Sequence, residues 1–226
     1  MLITSEPIMS LTEQLENLTT YYKENRDTFN DNFRLKMHRT LSWLKKANEE
    51  ENLDFKFIAL WIAFNAAYAD ELSKEEIERK VFHQFITRLC ELDSEHLLYG
   101  IIWDEFPGTV KALLDTPYTF QPFWDAHNGL LAGKEWKAMF SAAKKKAHFA
   151  FEEQKTAAVL EVVFGHLYTL RNQLIHGGAT YESSTNRKQL EEACAFLSLF
   201  VPAMVKIMLR NDSEPSWGKP FYPVVK

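Results

Sequence analysis

The stretch "DFKFIALWIAFNAAYAD", Asp54 to Asp70, puts apolar side chains all the way round the helix it would form. A helix without a polar face must be covered on every side, so it belongs at the centre of a helical assembly. Its small residues, Ala59, Ala63, Ala66 and Ala67, let neighbouring helices come close. The chain supplies those neighbours. "SLTEQLENLTTYYKEN" opens with Ser10 and Glu13 at capping-box spacing and sets Leu11, Leu15, Leu18 and Tyr22 on one face. "FRLKMHRTLSWLKKANEE" does the same with Phe33, Met37, Leu41 and Leu44. A second capping box, Ser73 and Glu76, starts a helix with a stripe of Ile77, Val81, Phe85, Leu89 and Leu92. Strand alternation is scarce.

Three more helices follow: "KEWKAMFSAAKKKAHF", "TAAVLEVVFGHLYTLRNQLIH" and "STNRKQLEEACAFLSLFVPAMVKIMLRN". The apolar run Ala193 to Leu209 falls short of the ~20 residues of a membrane span and is interrupted by Pro202 and Lys206. It reads as a buried helix, bent at Pro202. Two segments break the pattern. Residues 96–130, rich in proline, glycine and aromatics, read as compact loops with a short helix. The tail, 212–226, reads as an arm that packs in extended form or frays. There is no internal repeat and no flexible linker. The expectation is one all-α domain over 1–226, a helical bundle with a loop-rich insertion.

Of the 226 residues, 46% are hydrophobic, enough for one sizeable core. The net charge of -5 argues against a general nucleic-acid coat protein, so any phosphate binding must be local. Cys90 and Cys194 lie in apolar helical patterns and read as buried free thiols of a reducing compartment. "MLITSEPIMS" lacks the features of a secretion signal, so the cytoplasm is expected and no membrane partner. No Gly-rich phosphate loop, dinucleotide fingerprint or nucleophile elbow is present, and no two histidines lie three or four apart. No metal and no cofactor is expected. Lys144, Lys145 and Lys146, followed by His148, read as a solvated helix face, with a phosphate-tracking patch as the alternative. Trp61, Trp103, Phe123, Trp124 and Trp136 read as core rings; the alternative is base stacking by one of those in the middle segment.

The chemistry-bearing stretch is "LYTLRNQLIHGGATY", Leu167 to Tyr181. Arg171 and His176 are five residues apart, about 140° round a continuous helix, so they do not share a face. They converge only if the helix stops near Ile175, with Gly177 or Gly178 as a left-handed cap. Two glycines also let another backbone or a ligand come close. The plain alternative is a helix finishing at the surface, its cations placed to suit the dipole. Asn65 stands among apolar residues and needs a partner, which is either an ordinary core group or the Arg171–His176 pair. Tyr68 shares its face. His166 reads as a core or interface residue, and Asn186 and Arg187 as capping and surface residues.

"LRNQLIHG" on an apolar helix near the end of an all-α chain resembles the R-x4-6-H motif of HEPN domains. "LWIAFNAAYA" is similar to the matching central helix of Apea-like and RiboL-like members. The resemblance covers Phe55–Ala69 and Val159–Leu209. It implies a HEPN-like helical bundle and a metal-independent endoribonuclease that acts as a toxin or defence effector. Arg171, His176 and Asn172 would be catalytic, with Asn65, Tyr68, Gly177 and Gly178 supporting them or binding substrate. The implied partners are RNA, a second copy completing a composite site in a homodimer, and an antitoxin or regulatory protein. One feature departs from the family: the tyrosine often found two residues after the histidine in members paired with nucleotidyltransferase antitoxins is Gly178 here, and the nearest is Tyr181. The competing expectation is a non-catalytic HEPN module that binds RNA, a nucleotide or a protein.

Overall fold

In the computed structural model, which describes residues 10–68, 75–105, 107–220 and 222–224, the chain is all-α, with ten α-helices and no strand among those residues. Helix α1, Leu11–Asn25, begins on the capping box at Ser10: its hydroxyl accepts from the Glu13 N–H, and the Glu13 carboxylate accepts from the Ser10 N–H. Helix α2, Asp31–Glu49, buries Phe33, Met37, Leu41 and Leu44, the stripe its period marks. A short connection, residues 50–52, returns the chain as α3, Leu53–Tyr68. Short connections make antiparallel neighbours, and α2 packs along α3 more extensively than any other pair of helices.

Helix α3 occupies the centre, covered by α2, by α9 (Thr156–Ile175) and by α10 (Arg187–Arg210). Its alanines behave as expected: Ala59, Ala63 and Ala67 are buried, while Ala66 is half-buried. Helix α4, Glu75–Leu92, buries Phe85 and Leu89 from its stripe. The Ser73–Glu76 capping box lies outside the described residues. The heart of the core is aromatic. The Phe164 ring of α9 lies 4.5 Å from Phe64, 5.5 Å from Phe82 and 4.8 Å from Phe200. Burying one such phenyl group stabilises the fold by about 1.5–3 kcal/mol.

The middle of the chain is helical where loops were expected. Helix α5, Leu97–Gly100, runs into a π-helical turn at Ile101–Glu105, followed by α6, Pro107–Asp115. A 3-10 turn, Pro117–Thr119, leads into α7, Gln121–His127, and then α8, Gly133–Glu152. Pro107, Pro117 and Pro122 all sit in the first turn of a helix, where a backbone N–H has no intrahelical partner to lose. Residues that read as breakers are therefore starts.

One further expectation changes, and one open alternative is decided. Helix α10 is 24 residues long and runs unbroken through Pro202; it is long and apolar enough to cross a membrane, yet 72% of its most apolar window is buried inside the fold. The tail takes the packed one of its two expected forms. Trp217 is buried, its indole N–H donates to the Asn211 carbonyl, and its own carbonyl accepts from the fully buried Lys36 ammonium at 2.6 Å. Arg39 donates to the Tyr222 carbonyl, and Arg88 pairs with Glu214.

Candidate active site

Helix α9 stops at Ile175, and the way it stops builds the site. Gly177 takes φ +69°, the left-handed conformation that costs a Cβ-bearing residue about 1–2 kcal/mol. Its N–H donates to the Leu174 carbonyl at 3.2 Å, and the Gly178 N–H donates to the Gln173 carbonyl at 2.7 Å. This pair of bonds is the Schellman arrangement, which satisfies carbonyls the helix leaves open. The two glycines have different reasons to be there. A Cβ on Gly177 would meet nothing within 4 Å, so conformation alone demands glycine; a Cβ on Gly178 would stand 3.1 Å from the Gln173 carbonyl oxygen. His176 is the residue between helix and cap. It is exposed, and among the described residues its ring has no hydrogen-bond or ion-pair partner.

Arg171 sits one turn back, half-buried, and its Nη1 donates to the Asn172 side-chain oxygen at 3.0 Å. Five arginines have a carboxylate partner among the described residues: Arg26 has Asp27, Arg34 has Asp31, Arg88 has Glu91 and Glu214, Arg187 has Asp54, and Arg210 has Glu95. Arg171 has no carboxylate partner among the described residues, so its fork of donors carries an uncompensated charge beside solvent. Asn172 thus positions Arg171, not His176. The imidazole and guanidinium are joined by no side-chain hydrogen bond; the link between them is the backbone, the His176 N–H donating to the Asn172 carbonyl at 3.0 Å.

Asn65 and Tyr68 are not part of this end. The start of α3 lies by the loop that follows α9, and Trp61 packs against both Tyr168 and Phe164, so α3 runs antiparallel to α9. Residues further along α3 move away from Arg171. Phe164, the α9 residue beside Phe64, is already about 10 Å of helix from Arg171. Tyr68 is buried, stacked on Phe64 at 5.2 Å with Phe82 and Phe85 at its edges. Asn65 is half-buried and makes no side-chain hydrogen bond among the described residues. A polar residue within an apolar helix signals a partner only if the helix is closed over on that side, and this side of α3 is partly open.

The groups that hold the end of α9 in place come from elsewhere. The Gln173 amide donates to the Tyr118 carbonyl at 2.7 Å and its oxygen accepts from Asn186 at 2.7 Å. Asn186 thus stands before α10 without capping it, its amide spent on α9. The loop 177–186 is tied to the start of α3: Asp54, buried, accepts from the Glu182 N–H at 2.9 Å and from Arg187 at 3.4 Å. Asn52 donates to Tyr181 and Glu182, while its side-chain oxygen takes the N–H groups of Asp54 and Phe55. An asparagine ahead of an apolar run is a legible N-cap. Its second partner, about 130 positions away in sequence, is not legible.

His166 has a separate role. It is buried, bonded through Nδ1 to the Thr119 hydroxyl at 2.7 Å, and desolvation pushes its pKa down to about 4. It pins the 3-10 turn to α9 as a neutral ring. Burial likewise pushes the thiols of half-buried Cys90 and buried Cys194 up to about 12, which leaves them protonated and poor nucleophiles. No group of three His, Cys, Asp or Glu stands close enough to hold a metal ion among the described residues. A groove of about 530 Å³ lies elsewhere, between α1, α5 and α10, floored by Leu18, Leu97, Ile101 and Pro202. Neither Arg171 nor His176 lines it. Comparison with protein-family models, with curated proteins and with solved structures finds no match to this chain.

Proposed function

We propose that the end of α9 is the active site of a metal-independent endoribonuclease of HEPN type, working in the cytoplasm as a toxin or defence effector. The observation that carries this reading is a guanidinium without a carboxylate partner and an exposed imidazole without a side-chain partner, both among the described residues, on the same capped helix end. RNA brings its own nucleophile. The 2′-hydroxyl attacks the adjacent phosphorus, the P–O2′ bond forms and the P–O5′ bond breaks, leaving a 2′,3′-cyclic phosphate and a 5′-hydroxyl. One proton leaves the 2′-oxygen and one reaches the departing 5′-oxygen. An imidazole, which titrates near neutral pH in its unperturbed state, serves either step. The Arg171 fork, aimed by Asn172, stabilises the extra charge on the phosphorane.

A second copy of the chain supplies the second imidazole. What supports a dimer is the apolar surface around the site: Phe55 is 57% exposed, Tyr168 47%, Ile175 50% and Tyr181 64%. Exposed apolar groups mark association surfaces where they adjoin. Phe55 meets Tyr181 where the start of α3 faces the loop 177–186, and Tyr168 and Ile175, seven residues apart, share a face of α9, so two copies joined there would bring two His176 rings toward one another.

The test is cleavage in EDTA. The parent protein, His176→Ala and Arg171→Ala are incubated with structured and unstructured RNA, and the ends are mapped. Cleavage that survives EDTA, yields cyclic phosphates and vanishes in both variants is expected. RNA left intact by the parent, or cut equally by the variants, ends the proposal; sedimentation of the parent as a monomer ends its dimeric form.

A further inference from the structure

The segment beside the site has an unusual make-up. From Phe120 to Lys146 no residue is buried, although the segment contains α7 and most of α8. Six aromatic residues fall between Tyr118 and Phe140: Tyr118, Phe120, Phe123, Trp124, Trp136 and Phe140. They hold the arm together by ring contacts rather than by a core. Phe123 is the hub, 5.5 Å from Tyr118, 5.1 Å from Trp124, 5.0 Å from Trp136 and 4.1 Å from the His127 ring. The sequence reading of Phe123, Trp124 and Trp136 as core rings is thereby corrected: all three are half-buried.

The arm is also basic within an acidic chain. Residues 134–148 hold five lysines (Lys134, Lys137, Lys144, Lys145, Lys146) against one acid, Glu135, while the whole chain carries -5. Lys144 is engaged by Asp115, but Lys134, Lys137, Lys145 and Lys146 are exposed. The arm is fixed next to α9. The Tyr118 carbonyl accepts from Trp124 Nε1 at 2.8 Å and from Gln173 Nε2 at 2.7 Å, and Gln173 follows Arg171 by two residues. Tyr118 itself is 52% exposed.

We propose that this arm is a binding platform for single-stranded RNA, on which unpaired bases stack against Tyr118 and Trp124 while the α8 lysines follow the phosphates. The proposal rests on the ribonuclease reading for its place in the reaction and names the substrate class: an unpaired strand led to Arg171 and His176. Charge complementarity selects this occupant over a protein. Tyr118 keeps half its surface open beside its ring contact, and an apolar partner on it would lie beside a helix whose Lys134, Lys137, Lys145 and Lys146 are exposed. A nucleic acid needs that combination, because each base offers a flat π-face and each phosphate a charge. A duplex hides its base faces and gains nothing from the rings.

The test uses His176→Ala full-length protein, so that bound RNA stays intact, with a fluorescein-labelled mixed-sequence single strand and the matching RNA duplex. Affinity is followed by anisotropy over a series of salt concentrations. The single strand is expected to bind more tightly than the duplex. Tyr118→Ala and Trp124→Ala should each weaken it about ten-fold, with Tyr118→Phe near the parent because stacking needs the ring and not the hydroxyl. Lys145→Glu with Lys146→Glu should weaken binding and flatten its salt dependence. Equal binding of strand and duplex, ring variants that bind as tightly as the parent, or no binding of the single strand overturns the platform. The two readings separate cleanly. Cleavage that needs His176 and ignores Tyr118 and Trp124 leaves the active site standing and removes the arm; ring-dependent binding without cleavage by the parent does the reverse.

Discussion

From Val159 to Leu170, α9 buries its apolar side among α3, α4, α6 and α8, with Phe164 reaching Phe200 of α10, and its one buried histidine is neutral and bonded to Thr119. From Arg171 to Gly178 the same chain segment is half-buried or exposed, with a cation that no carboxylate neutralises and an imidazole that no side chain holds among the described residues. The contrast lies in solvation rather than secondary structure. In the first part every polar group that lost water found a partner, as burial requires. In the last turn Gln173 is spent on Tyr118 and Asn186, while the Arg171 guanidinium and the His176 ring stay open to solvent and available to a ligand. His166 and His176 show this with one residue type: the first serves the fold and the second is free to serve chemistry.

Four measurements can break or sharpen that contrast. The largest effect is expected at the open end, where His176→Ala should reduce RNA cleavage by about 10²–10⁴-fold while leaving urea stability unchanged. A large loss of stability in that variant would show that His176 belongs to the fold after all. In the buried part, Phe164→Ala should cost about 3–5 kcal/mol in urea denaturation, since its ring is packed against those of Phe64, Phe82 and Phe200. A cost below about 1 kcal/mol would mean that this core is not packed as described.

His166 gives a pH signature. Its folded-state pKa of about 4 lies below the unfolded value of about 6.5, so the unfolded chain binds the proton more readily. Stability from the neutral ring is therefore complete above about pH 6.5 and is lost as pH falls toward about 4, by up to about 3 kcal/mol. Denaturation midpoints of the parent should fall over that window, and His166→Gln should remove the part of the slope that belongs to this ring. Parallel profiles for parent and variant would contradict the assignment. The smallest effect is at the cap: Gly177→Ala should lower stability by about 1–2 kcal/mol, with Gly177→Asn costing less, because asparagine tolerates positive φ. A neutral Gly177→Ala would mean the cap relaxes without strain.

Much of the architecture was legible before any coordinates. The stripes of α1 and α2, the apolar α3 and the capping box at Ser10 follow from spacing alone, because helical period and caps are local. The stop at Ile175 with a left-handed glycine was legible too, since Gly177 is nearly the sole residue type that adopts that backbone without cost. The middle segment was misread where local cues are ambiguous. A proline that ends one helix and a proline that starts the next look alike in sequence, and only Pro107, Pro117 and Pro122 in place show which they are.

Residue order alone makes this chain a helical bundle around Asp54–Tyr68 and stops α9 beside Arg171 and His176. Those are consequences of residues within a turn or two of one another. Tertiary structure alone decided the company that end keeps. It turned Asn65 and Tyr68 away by running α3 antiparallel to α9, brought Tyr118 to Gln173 and Asp54 to the loop after α9, and left residues 120–146 without a buried side chain. The reason is physical: contacts between residues fifty or more positions apart depend on how whole helices pack, and no local period or cap encodes that angle and register.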